Sequence, residues 1–451
     1  MNFYFVIWGN TVYCLNWAKW VKYEINLVFQ GIMNMKIRLL WTFIVALFIG
    51  GCVSPGLSKH GWGYSQKSDF LEILKTDKYA SLCELESTYN TYLQTKESAL
   101  LNKLIVGYTK NLANSCIDLT SFNASQRSKR AKKIKTHYEI HTQSVSASSV
   151  MRQLQSGKSI EDILAPYIPE SPQFHKLLEH YHRMKETGDT ANLRKVKLNI
   201  ERTKIMKPSN WDTYVLINAP EYKFRLFEDG VKSMEFAVVV GKRSWQTPIF
   251  SSTLKYIVLN PAWNVPDNIA RDEIIPKIVR NIGVLKRKNM VVRKDYNINS
   301  TPVDPKSVNW KLYLTPEYKK KALPYKLIQK ASNRNALGTV KFMFPNRFSV
   351  YMHDTQAKSL FGRDARAYSH GCIRLAKPQK LLEHISTNYS SKSFSAVQKI
   401  AGTKKTNYLN LNRHIPVRIT YLTAYVKEDG SLSFFSDIYG FDSSQRVKGS
   451  I

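Results

Sequence analysis

A chain of 451 residues with 43% hydrophobic content is long enough to bury roughly two or three cores, which excludes an intrinsically disordered protein. Its formal net charge of +33, from 67 Lys and Arg against 34 Asp and Glu, brings nucleic acid to mind, because neutralising phosphates takes clustered cations. Here the cations are spread along the chain without a nucleic-acid-binding motif, so no nucleic acid is expected, and an anionic membrane surface or an acidic wall polymer suits the charge as well.

Residues 1–32 have no clear period and read as a leader foreign to the working protein. An export signal follows over 33–51: Lys36 and Arg38 precede an uncharged apolar run from Leu39 to Phe48, closed by Ile49-Gly50-Gly51-Cys52. The 13 residues from Leu39 to Gly51 are short for a bilayer span, which takes about 20. The closing tetrad resembles a bacterial lipoprotein signal-peptidase site, which implies acylation of Cys52 and translation starting at Met33 or Met35. An uncleaved signal anchor is the competing reading. The expected location is the periplasm, tied to a membrane through lipid on Cys52. Val53 is not the aspartate of an inner-membrane retention signal, which favours the outer membrane.

The region 52–120 reads as helical, with Phe70, Leu71, Ile73, Leu74, Leu82, Leu85, Tyr89 and Tyr92 at helical spacing and no Pro or Gly from Lys67 to Val106. Cys83 and Cys116 both fall in it. They form either a disulfide, as an oxidising compartment permits, or two buried thiols. The Ser-rich stretch 121–149, with its cluster from Arg127 to Lys135, reads as a solvated basic linker. A helical scaffold is expected over 150–205, where Ser171 is placed as N-cap, Pro172 in the first turn, and Phe174, Leu177, Leu178 and Tyr181 on one face.

From Thr213 the period becomes two, opening a β-rich domain over 206–440. A hairpin turning at Glu228-Asp229-Gly230 comes first. Asn260 to Pro266 reads as a loop whose Trp263 is a core aromatic or a wall of a substrate groove, with core packing favoured. The mixed stretch 269–337 is long for a loop and reads as an inserted helical lid. A helix near 379–386, a hairpin pairing 417–426 with 431–435, and a tail over 441–451 complete the chain.

Two short segments carry the chemistry: Tyr351-Met352-His353-Asp354-Thr355, and Tyr368-Ser369-His370-Gly371-Cys372-Ile373-Arg374-Leu375. A cysteine attacks a carbonyl as its thiolate, so Cys372 needs a base, and His353 or His370 can supply one. An extended backbone would put His370 on the same face as Cys372, and the alternating run from Arg347 to His353 reads as a strand presenting His353 at its end. Gly371 permits a tight turn that aims N–H groups at one point, as an oxyanion hole requires, and Arg374 supplies a cation for the thiolate or a carboxylate. A buried structural Cys and core His residues are the bland alternative. A metal site made of His353, His370 and Cys372 lacks a recognised ligand spacing, so neither metal nor cofactor is expected.

The string H-D-T-x-x-x-x-L-F-G-R-D-x-R-A-Y-S-H-G-C-I-R-L resembles the signature of the L,D-transpeptidase (YkuD-type) catalytic domain, in its larger periplasmic murein branch. Asn260 to Pro266, Asn335 to Gly338 running into Lys341 to Asn346, and the stretch from Pro416 to Tyr439 match as well. The resemblance implies an α+β protein: a mostly β YkuD-type catalytic domain with an inserted helical lid, preceded by an α-helical scaffold. It implies Cys372 as nucleophile and His353 as base. Gly371, His370, Ser369 and Tyr351 fall at pocket or oxyanion positions, and Arg374, Arg366 and Trp263 contact substrate, although Arg366 reads equally well as a structural arginine. The implied substrates are peptidoglycan tetrapeptide stems as donor and acceptor, joined as 3-3 cross-links with loss of D-alanine. An L,D-carboxypeptidase, a hydrolase of stem-peptide or lipoprotein-to-wall links, and a non-catalytic wall-binding lipoprotein are the alternatives. The peptidoglycan-binding module common in that branch is not evident.

Overall fold

The computed structural model describes residues 61–209, 211–318 and 321–449 in full and three short strands nearer the start. Those strands, β1 (Tyr4–Trp8), β2 (Thr11–Asn16) and β3 (Lys19–Tyr23), form an antiparallel meander within a separate unit, residues 1–59. The export signal at 33–51 and the lipidation candidate Cys52 lie outside the described residues. No helix among the described residues is long and apolar enough to cross a membrane.

The second unit begins with helices α1 (Tyr64–Thr76), α2 (Glu86–Thr95), α3 (Ser98–Asn114), α4 (Leu119–Ala131), α5 (Ala147–Gln155), α6 (Ile160–Leu164), α7 (Pro172–Thr187) and α8 (Leu193–Lys204). Their apolar stripes meet in one core that includes Phe70, Leu104, Tyr108, Leu112, Phe174 and Leu177. Cys83 and Cys116 are bonded as a disulfide across a sequence separation of 33. Closing a loop of that length restricts the unfolded chain, so the double substitution Cys83→Ala/Cys116→Ala is expected to lower the unfolding free energy by about 3–4 kcal/mol. Urea unfolding of the two proteins side by side measures it.

The stretch 121–149 is not the solvated linker that its basic composition predicts. Asp118 caps α4 by accepting the Ser121 N–H, and the helix turns Phe122 and Gln126 inward while Arg127 and Arg130 stay exposed. The ring of Phe122 meets Tyr138 and Phe441 edge-on, 5.4 and 5.9 Å away. The chain after α4 then runs along the β-domain through bridges from Lys135 to Trp245 and from Tyr138 to Ile249. Phe441 is also where the expected tail fails to be free: it is buried, and Val447 bridges Ile117.

Helix α8 is buried on nearly every side, so its polar residues find partners inside. Glu201 sits 2.8 Å from Lys204 and 3.5 Å from Lys197, and it accepts the Cys116 N–H. Arg202 bonds Asp442 and Gln445 of the chain's end and Thr423. These bonds tie the helical layer to the β-domain.

That domain is a sheet closed on itself. Its strands are β4 (Tyr214–Asn218), β5 (Lys223–Glu228), β6 (Val231–Gly241), β7 (Phe250–Leu259), β11 (Val340–Met343), β12 (Met352–His353), β13 (Ala367–Ser369), β14 (Ile373–Leu375) and β15 (Asn407–Thr420). They run β13-β6-β14-β12-β11-β7-β15-β4-β5, and β5 returns to β6. The predicted first hairpin is there: Asp229 and Gly230, at φ 50° and 75°, make the two-residue turn between β5 and β6. Helices α12 (Pro378–Tyr389) and α13 (Phe394–Gly402) cover one side with Leu381, Ile385 and Val397. The last hairpin is shorter than expected, β16 (Ala424–Val426) with β17 (Leu432–Phe434), because 417–420 belong to β15 beside β4 and β7.

The insertion after β7 is mixed rather than helical. Around a π turn at Ala270–Ile274 lie α9 (Asp267–Ile269) and α10 (Ile275–Arg280), followed by α11 (Val284–Arg287). A three-stranded sheet joins β8 (Trp263–Asn264), β10 (Lys326–Gln329) and β9 (Met290–Arg293) in that order. Val292 and Leu327 from its strands close a core with Ile275, Ile278 and Trp310. The short strands Met290–Arg293 and Lys326–Gln329 were hidden in sequence by the polar stretch between them.

Candidate active site

Register brings the site together. On β11, Lys341 pairs with His353 of β12, and His353 pairs with Arg374 of β14. Paired residues on neighbouring strands face the same way, so Lys341, His353 and Arg374 form one row across three strands. Tyr351 and Cys372, two residues earlier on two of those chains, start the next row, held by the Ile373 N–H on the Tyr351 carbonyl at 3.0 Å. Only the last two residues of the expected strand from Arg347 to His353 are strand. Asn346 takes the Phe348 and Val350 N–H groups on its side-chain oxygen, and Ser349 sits at φ 55°, so the chain turns there.

His353 is buried, and its Nδ1–H donates to the Asp354 carbonyl at 2.5 Å, which leaves Nε2 as the lone-pair nitrogen. Burial, with Arg374 and Lys341 on either side, pulls its pKa down to about 3. Asp354 is itself fixed: Oδ2 accepts the Thr339 N–H at 3.0 Å, and Oδ1 accepts the Thr355 N–H at 2.7 Å and the Lys358 ammonium at 2.5 Å. Burial pushes the Asp354 carboxyl up, but Lys358 and the two N–H donors hold it below the usual range. Gly338, at φ 63°, lets Asp354 come this close, since a Cβ there would lie 2.2 Å from Oδ2. Gly338→Ala is therefore expected to displace Asp354 and cost about 1–3 kcal/mol of stability, read as a drop in Tm together with lost activity.

The Cys372 thiol is partly exposed and lies 3.9 Å from the Ser349 carbonyl. Burial raises its pKa, against hydrogen bonding from Tyr351 and the charges of Lys341 and Arg374. The resting pair is thus a neutral thiol and a neutral imidazole.

Two sequence expectations change at the turn before Cys372. Gly371, at φ 111°, breaks the extended path, so His370 and Cys372 are not alternating strand neighbours. The His370 ring goes instead to Glu273 of the insertion, at 2.9 Å, with Lys242 3.3 Å away and Trp245 edge-on. Gly371 does not offer a free oxyanion donor either. Its N–H is taken by Ser369 Oγ at 3.1 Å, and the same hydroxyl donates to the Cys372 carbonyl. Thr247, buried, fixes the other side of the turn by donating to the Gly371 carbonyl at 2.9 Å. The backbone N–H of Cys372 makes no hydrogen bond among the described residues and is a donor left beside the sulfur, where the backbone of Tyr351 also donates.

Arg366 is a structural arginine. It donates to the carbonyls of Val238, Arg363, Asp364 and Tyr222, which uses its guanidinium on backbone. Trp263 lies on β8 and packs on the insertion's own core, as the core-packing reading expected. Arg374 is half-buried beside Cys372, and its Nε has no hydrogen-bond partner. His353, His370 and Cys372 do not group as metal ligands. The grouping within ligand reach among the described residues is Cys83, Cys116 and Glu201, and its two sulfurs are bonded to each other.

Sequence reasoning missed Lys341, Thr247 and Glu273 as neighbours of the Cys372 loop. Lys341 had a signal, a lone cation alternating with Val340 and Phe342 in an otherwise apolar strand. The other two come from distant segments, a loop and the π turn, and left none.

The YkuD family profile, described as an L,D-transpeptidase catalytic domain, matches residues 212–405. A Haemophilus influenzae protein named "Putative L,D-transpeptidase" is 26% identical over 341 residues, 74% of this chain and 66% of that protein. Among solved structures, an L,D-transpeptidase from Mycobacterium smegmatis matches at 12% identity and a TM-score of 0.20, covering 47% of this chain and 60% of its own. L,D-transpeptidase 3 from Mycobacterium tuberculosis matches at 11% identity and a TM-score of 0.22, covering 46% and 60%. Residues 212–405, which carry Cys372 and His353, match the YkuD L,D-transpeptidase catalytic domain.

Proposed function

We propose that the protein is a peptidoglycan L,D-transpeptidase that forms 3-3 cross-links through a thioester on Cys372. The observation that carries this reading is the row of Lys341, His353 and Arg374 set directly against Tyr351 and Cys372. His353 Nε2 takes the thiol proton as sulfur attacks the carbonyl carbon joining the third stem residue to the terminal D-alanine. The resulting oxyanion is received by the Cys372 N–H, a kind of contact worth about 3–4 kcal/mol per donor. Collapse breaks the C–N bond, the proton on Nε2 passes to the leaving amine, and D-alanine departs. A side-chain amine of a second stem then attacks the thioester, giving up its proton to His353 and regenerating the thiol.

The disulfide between Cys83 and Cys116 supports placing this reaction in an oxidising compartment, which suits a periplasmic enzyme anchored by lipid on Cys52. The test incubates the protein with disaccharide-tetrapeptide muropeptides and weighs the products. A dimer lacking one D-alanine supports cross-linking. Tripeptide alone would make the protein an L,D-carboxypeptidase, and no product would overturn the acyl-transfer reading.

A further inference from the structure

Lys341 is a half-buried ammonium without an anion. Its Nζ lies 4.0 Å from the centroid of the Tyr351 ring, and it makes no ion pair or hydrogen bond among the described residues. Arg374, at the other end of the same row, is half-buried with its Nε unpartnered. The acid that acts on that arginine is Glu273, which is engaged by His370. Two desolvated cations are costly unless a negative group completes them, and among the described residues no carboxylate forms an ion pair with either. Both flank Cys372, and the Cys372 sulfur acts electrostatically on each.

The proposed donor provides the complement. Its terminal residue carries a free carboxylate three bonds from the carbonyl under attack, which fixes the two carbons at about 3–4 Å from each other. A carboxylate so placed arrives at the row of cations whenever the carbonyl arrives at sulfur.

We propose that Lys341 and Arg374 form a carboxylate subsite that selects donor peptides ending in a free acid, with Lys341 as its specificity-determining residue. The inference rests on the peptide reading of the function for its natural ligand, but the anion site itself does not. Occupying the site also offsets the two charges that flank His353, so the base gains proton affinity when the donor is seated.

The test alkylates Cys372 in the full chain with iodoacetate and with iodoacetamide, following the Cys372 peptide by mass spectrometry. Both reagents need the thiolate, so any change in thiol acidity cancels in the ratio of their rates, and what remains is the preference for an anion. Lys341→Met is expected to lower the iodoacetate-to-iodoacetamide ratio by about fivefold or more, given one cation at such range. Lys341→Arg should keep the ratio, and Arg374→Gln should lower it, which covers the case in which one variant folds poorly. An unchanged ratio in both Lys341→Met and Arg374→Gln overturns the site. With stem peptides, Lys341→Met should raise KM about tenfold more for a donor ending in D-alanine than for one ending in D-alaninamide, since its effect on His353 and Cys372 is common to both donors. Equal loss on both donors overturns the assignment to the terminal carboxylate. A ratio that falls while the unaltered protein turns over neither donor would count against the transpeptidase reading and leave the anion site standing.

Discussion

Cys372→Ala is expected to abolish acyl transfer, lowering turnover by on the order of 10^4-fold or more, since no other group can form the thioester. The fold should survive the change. The thiol is partly exposed and makes weak bonds with the Ser349 carbonyl and Tyr351, so its removal leaves a small gap and no stranded charge. The same thiol carries a second expectation about pH. Burial lifts its pKa above the ordinary value, and Tyr351, Lys341 and Arg374 offset this only in part. Alkylation of Cys372 by iodoacetamide should therefore still be climbing at about pH 9, near the ordinary thiol range, rather than levelling off in mild acid as a thiolate–imidazolium pair would. Circular dichroism and Tm separate the catalytic loss from any unfolding.

His353→Gln is the second large effect. Loss of the base should lower kcat by about 10^2 to 10^4-fold. It should also change how stability depends on pH. The unfolded chain protonates this histidine near pH 6.5, whereas the folded one keeps it neutral down to about 3. Between those values the unfolded state binds more protons, so His353 stability is fully present above about pH 6.5 and is lost as pH falls towards 3. From pH 7 to 4 the loss through this one group is about 3 kcal/mol. Urea unfolding at both pH values should show a smaller drop in His353→Gln than in the unaltered protein. An equal drop would mean that the imidazole is not held neutral by its surroundings.

The depressed base and raised thiol explain why the proton should not move in the empty site. Lys341 and Arg374 both oppose an imidazolium at His353. Charge transfer becomes favourable only as sulfur bonds to carbon and negative charge leaves for the oxyanion, or once an anion offsets the two cations.

Cys372 and His353 were legible in sequence because each lies within one contiguous motif. Their relation to Lys341 was not, because it follows from the pairing of β11 with β12, and register is a tertiary property. His370 was misplaced by assuming an extended backbone through Gly371, whose φ of 111° sends the ring to Glu273. The oxyanion assignment to Gly371 failed for a related reason: Ser369, two residues away, folds back onto the amide. The basic stretch after Leu119 was misread because Arg127 and Arg130 dominate its composition while two inward residues, Phe122 and Gln126, decide its structure. The β-rich domain itself was readable from alternation in β5 and β6 and from the Asp229-Gly230 turn between them.

The most direct measurement of the central claim is the intact mass of the protein during turnover of a tetrapeptide donor, with the adduct mapped by peptide mass spectrometry. The account predicts a tripeptidyl thioester on the Cys372 peptide, formed with release of one D-alanine, discharged by an added amine, and absent from Cys372→Ala. Turnover persisting in Cys372→Ala, or an adduct carried by another residue, would contradict it.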